Sequence, residues 1–167
     1  MLISDIENSI KERLKDKIVD DFDVSKLEVE SFPSSFSDYL ERFSHPTGAA
    51  LVSYKGSTFS ASQSLGFISQ EEKVDFSIIL ILRGIKIDET YSYVNQVSQF
   101  LRGYKIDGCE KIIPSKITFL DEDFGVWIYE LEFSLIKTSI EVGLSNDLPT
   151  LKSITSESTI KSPEVYL

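Results

Sequence analysis

One histidine, His45, one cysteine, Cys109, and a surplus of carboxylates are the residues of this chain whose types could do chemistry. His45 has no second His or Cys at metal-ligand spacing and no Ser or Cys nucleophile motif, so a turn or capping role suits it best. Asp20, Asp21 and Asp23 cluster oxygens, but without the further ligands of a cation loop they read as a solvated loop. Asp121-Glu122-Asp123-Phe124-Gly125 contains the letters of a kinase DFG motif. The Gly-rich loop, strand lysine and catalytic loop that would make it one do not accompany it. An apolar strand follows it where a calcium loop needs its distal Glu, so it reads as an exposed acidic turn. No Walker sequence, paired His, CxxC or Gly-x-Ser-x-Gly elbow occurs. These patterns predict a protein that is not an enzyme and holds no metal.

The elements that would position any site follow from composition and periodicity. The chain has 167 residues and a formal charge of -10, from 27 acidic and 17 basic side chains. At that length one domain is the economical reading, with about 70% of the unfolded surface buried on folding. A lone Cys forms no internal disulfide and fits a reducing compartment. Residues 1–17 mix acids and bases and lack the apolar core of a signal peptide, and no span is long enough to cross a bilayer, so a cytoplasmic protein is expected. The negative charge opposes a grip on nucleic acid or on an anionic membrane, yet it would let DNA pass a surface without sticking.

The central stretch is Phe124 to Ile140. Trp127, Tyr129, Leu131, Phe133 and Leu135 alternate with Val126, Ile128, Glu130, Glu132, Ser134 and Ile136, the period of a strand. Glu71 to Arg83 is a second strong strand, with Val74, Phe76, Ile78, Leu80 and Leu82 on one face and Ile79 and Ile81 on the other, as in a sheet centre. Ile112 to Leu120 is a strand whose Pro114 suggests an edge or a bulge, and it forms a hairpin with the central stretch. Lys26 to Ser31 alternates Leu27 and Val29 with Glu28 and Glu30. A further strand, Ala49 to Lys55, leaves a turn at His45-Pro46-Thr47-Gly48.

Helices are expected at both ends of this set. Ser4 to Glu7 has capping-box spacing, and Ile3, Ile6, Ile10, Leu14 and Ile18 make one stripe, with an end near Lys17 to Val19. Phe36, Tyr39, Leu40 and Phe43 belong to a short helical piece. Asp88-Glu89 open another helix, with Val94, Val97 and Leu101 inward and Gly103 to end it. The uncharged stretch Gly56 to Gln70 reads as a long loop whose Phe59, Leu65, Phe67 and Ile68 need a partner. The fold class is therefore α+β, a mainly antiparallel β-sheet with two principal helices packed on one face. The aromatic face of the central strand is their expected floor. Residues 1–142 form the domain, and 143–167 a Ser/Thr-rich arm or extension.

HPTGAALVSYKGS (His45 to Ser57), VDFSIILILR (Val74 to Arg83), YSYVNQVSQFLRGYKI (Tyr91 to Ile106) and FGVWIYELEFSL (Phe124 to Leu135) together resemble the Mu-like bacteriophage tail-terminator family. The resemblance runs in order from about Leu2 to Ile140, and the serine-rich tail falls outside it. It implies a structural protein of a contractile tail or of a phage-derived contractile injection system, made in the cytoplasm of the bacterial host. Such subunits assemble as a homo-hexameric ring on the tail tube and sheath proteins, stop polymerisation, and offer a surface to a head-joining or cap protein. They use no cofactor.

On that reading Phe59, Leu65, Phe67 and Ile68 are candidates for docking to the tube. Asp121, Glu122 and Asp123 are candidates for lining the channel. The Glu130 and Glu132 face of the central strand borders a subunit contact or the channel. A monomeric adaptor that recruits a partner through 143–167 is the alternative from another class, and a small hydrolase is the least supported by the titratable groups.

Overall fold

The computed structural model describes residues 1–21, 27–63, 66–83 and 86–142, with only the backbone at 18–21. Among the described residues eight elements follow one another: α1 (Ile3–Asp21), β1 (Leu27–Ser31), α2 (Phe36–Arg42), β2 (Gly48–Phe59), β3 (Ser69–Arg83), α3 (Ile87–Leu101), β4 (Ile113–Asp123) and β5 (Val126–Ile140). The five strands form one mixed sheet in the order β1-β2-β3-β5-β4. Only β1, parallel to β2, departs from antiparallel pairing. The fold is α+β, as the periodicities require.

The core follows from the two strong alternations. Val74, Phe76, Ile78, Leu80 and Leu82 of β3 share a cluster with Tyr129, Leu131, Phe133 and Leu135 of β5, roofed by Ile6, Ile10 and Leu14 of α1 and Val94, Val97 and Leu101 of α3. Trp127 packs against its margin, with its ring 6.1 Å from that of Phe119. The aromatic floor is less shared than expected, because α3 lies over β4 and β5 while α1 lies over β1 and β2. Arg13 ties the two helices: its guanidinium stacks 4.9 Å over the Tyr104 ring and its Nε donates to the Phe100 carbonyl at 3.1 Å.

The opposite face carries a smaller layer. Ala49, Leu51, Ile79, Ile81 and Ile128 form it, covered by Phe36, Tyr39, Leu40 and Phe43 of α2. α2 buries no residue fully; Ser35 caps it by accepting from the Asp38 N–H at 3.4 Å.

Several local expectations are corrected. The box of Ser4 and Glu7 does not form, because the helix starts at Ile3, two residues earlier than that box requires, and Asp5 reaches back to accept the Leu2 N–H at 2.8 Å. Glu7 instead meets Lys11, 3.7 Å away and one turn on. α1 runs on to Asp21, since acids at a helix end cost only some tenths of a kcal/mol to about 1 kcal/mol, too little to stop a helix packed along its length. Asp23, Leu65 and the extension 143–167 lie outside the described residues.

The turn at His45 is closed by a side chain rather than by the backbone: imidazole Nδ1 accepts the N–H groups of Thr47 at 3.4 Å and Gly48 at 3.1 Å. Gly103, with φ 75°, ends α3 as expected. Pro114 sits on the edge strand next to a register shift, so both readings of it hold. Asp121, Glu122 and Asp123 belong to β4, and the hairpin turn is only Phe124-Gly125. Their φ values of 47° and 77° are the pair that a two-residue hairpin favours, because such a turn matches the strand twist.

Candidate functional site

Both ends of the expected long loop, Gly56–Phe59 and Ser69–Gln70, are strand. β2 continues through Gly56 to Phe59 and β3 begins at Ser69, so together with the end of β5 they extend a three-stranded tongue past the helices. Gly56, at φ 150°, stands at the register shift that lets the hairpin continue. Sequence alternation could not show this extension, because its residues are mostly Ser, Thr and Gln with no inward apolar face.

A buried ion pair roots the tongue. Glu72 and Lys137 are register partners, 3.1 Å apart, with Ser57 Oγ donating to Glu72 at 2.8 Å and Lys137 donating to the Met1 carbonyl at 3.2 Å. At the tip, Phe59, Ile68 and Ile140 are more than half exposed, and Phe67 is partly covered. Three of the four docking candidates therefore lie together on described residues. Ile140, which the sequence reading gave no role, lies at the same end on the opposite face, because it pairs with Ser69 whereas Phe59 pairs with Glu72.

The channel candidates separate. Asp121 and Asp123 share the α2 face with Ile128 and Val126, whereas Glu122 shares the helical face with Trp127. Two of them serve the local backbone, Asp121 accepting the Glu122 N–H at 2.8 Å and Glu122 the Gly125 N–H at 3.0 Å. All three are exposed, but alternation keeps them from one wall. Glu130 pairs with Lys55 at 2.9 Å, and that hydrogen bond holds its carboxyl below the usual range against the opposing effect of burial.

A second acidic place was not foreseen. Glu28 and Glu30 of β1 project on the α2 side and border a groove of about 440 Å³ with Asp38, Tyr39, Arg42 and His45. Burial first, then a hydrogen bond and the charge of Glu28, push the Glu30 carboxyl up. Burial and the same two carboxylates push Tyr39 up to about 12. The signal in the sequence was two Glu at alternate positions on a strand. Their meeting with Tyr39 depends on where α2 docks, which spacing does not tell. Among the described residues no group of three His, Cys, Asp or Glu is placed to hold a metal ion.

Glu30 makes a pH prediction. Its folded pKa stands above the unfolded value, so the stability it lends is fully present below about pH 4 and is lost as pH rises through the folded pKa. Glu30→Gln should therefore raise stability at pH 7 and match wild type near pH 4. Urea unfolding at the two pH values checks it; a variant weaker than wild type at pH 7 would contradict the assigned direction.

The fold has a solved counterpart. A chain in the virion of a native gene transfer agent (GTA) particle superposes with a TM-score of 0.53 at 12% identity, over 80% of this chain and 94% of that one. No curated protein matches. The model of the Gp37 protein family matches residues 20–158, from within α1 to beyond the last described residue. By that match, which spans most of its length, the chain belongs to the Gp37 protein family.

Proposed function

We infer that this chain is a structural subunit of a phage-type tail, acting as the terminator that closes the tail tube and sheath as a homo-hexameric ring. The observation that supports the reading is the superposition, over 80% of this chain and 94% of the other, on a chain of a virion particle. Family membership and the resemblance of the four sequence blocks agree with it. A protein of this kind works by contact rather than catalysis. Its surfaces match a ring below and present something non-complementary above, so that the next tube subunit finds no seat. The subunit is made in the host cytoplasm and ends in the particle, where its upper face receives a head-joining or cap protein. Residues 1–142 supply the ring body and 143–167 an extension.

Within this reading the tongue docks on the tube. Exposed Phe59 and Ile68, with Ile140 on the other face of the tongue, offer apolar area on a strand scaffold held by the Glu72 and Lys137 pair. Burying such side chains at a contact is worth about 1.5–3 kcal/mol each. Deleting Ser60 to Gly66, or combining Phe59→Ser with Ile68→Ser, should leave a folded subunit that no longer caps tubes. Electron microscopy of tails then shows overlong tubes. Tails of normal length made with either variant refute the docking assignment. A monomeric adaptor working through 143–167 predicts instead that removing that segment alone abolishes function.

A further inference from the structure

Among the described residues the sheet has two open edges of different character, and we propose that they dock on each other between copies, β1 of one subunit adding antiparallel to β4 of the next. This inference rests on the ring reading and names the contact that would build it. β4 is a long edge strand, and Ile113, Ile117, Phe119 and Leu120 along it are all about half exposed. An apolar edge of that length is a standing template for another strand unless something covers it. The other edge is β1, short and acidic, with Leu27 and Val29 toward the helical face and Glu28 and Glu30 on the α2 side.

Strand directions fit. β1 runs with β2 and against β3, β5 runs against β3, and β4 runs against β5, so β4 is antiparallel to β1. Copies set side by side with the same face up therefore meet as an antiparallel pair. Register decides the rest. Following the pairings across the sheet, a level arrangement sets Glu28 of one copy opposite Asp121 of the next, a like-charge clash. Sliding β1 by two residues, about 7 Å, keeps every side chain on its own face. Glu30 then stands opposite Lys116, Val29 opposite Ile117 and Leu27 opposite Phe119. Lys116 is exposed and shares the α2 face with Glu132, its register partner. Apolar residues thus meet on one face and opposite charges on the other. Because the two edges differ, the contact is head-to-tail, the kind that closes rings.

Two β4 edges could instead pair about a two-fold axis, which would leave Glu30 out. Charge exchange separates the cases. Glu30→Lys and Lys116→Glu are made singly and together in the full chain, and association is measured by native mass spectrometry and sedimentation up to hundreds of micromolar. Circular dichroism confirms that each variant folds. Each single variant should weaken association at least tenfold, and the double variant should restore it. Assembly that ignores Glu30→Lys, stops at a dimer, or is not restored by the exchange overturns the pairing while leaving a ring intact. A wild-type chain that stays monomeric throughout overturns this contact as a source of self-assembly. Capping of tubes, read separately by microscopy, then decides the terminator reading on its own.

Discussion

Phe133→Ala should lower the unfolding free energy by about 3–5 kcal/mol, the usual cost of removing a buried aromatic ring. Phe133 is 1% exposed, and its ring lies 5.7 Å from that of Phe76 at 16°. It sits where β3 and β5 meet beneath the helices, so the neighbours that would have to collapse into the void belong to paired strands and cannot move far. Thermal unfolding should fall by roughly 6–20 °C for a chain of this size. Phe124→Asn supplies the control: Phe124 is 98% exposed at φ 47°, a conformation that Asn tolerates better, so stability should hold or rise slightly. A Phe133→Ala melting point within 2 °C of wild type would show that the ring does not anchor the core.

Gly48→Ala is also expected to destabilise the fold, by a different route. A Cβ at Gly48 would press on the Ile81 carbonyl and come 2.8 Å from Leu27 Cδ2. Gly48 pairs with Leu82 on one side and Leu27 on the other, at the start of the register of β1, β2 and β3. Overpacking of a well-packed site costs about 1–3 kcal/mol, and a backbone carbonyl yields less readily than a side chain. Adding Leu27→Ala removes only the side-chain overlap. The double variant should therefore remain no more stable than Gly48→Ala alone, measured by urea unfolding; full recovery would mean that the carbonyl had moved aside freely.

The parts of the fold legible in the sequence were those set by local pattern. The alternation around Trp127 and around Ile78 marked β5 and β3, the stripe of Ile6, Ile10 and Leu14 marked α1, and Pro114 marked an edge. Strand order was not legible, because the parallel pairing of β1 with β2 and the seat of α2 depend on contacts between distant residues. Boundaries failed where side-chain chemistry misled: acids suggested a turn at Asp121 to Asp123, yet the glycine after Phe124 sets it. Of the docking candidates on described residues, Phe59 and Ile68 are exposed, while Phe67, next to Ile68 in the sequence, is partly covered. The Glu28 and Glu30 groove went unseen because it needs Tyr39 from the next element.

The place of β5 in the sheet bears on how the subunit is made. It is the last strand in sequence among the described residues, yet it lies between β3 and β4, pairing with β3 from Arg83↔Val126 to Ser69↔Ile140. Pairings that join residues so far apart along the chain slow folding, because loop closure must precede the contacts that reward it. Until β5 arrives, β3 has a bare flank and β4 has no partner in the sheet. The β1 and β4 edges thus come to stand at their final spacing only when β5 goes in, so on the proposed ring reading a half-made subunit offers no complete surface to its neighbours.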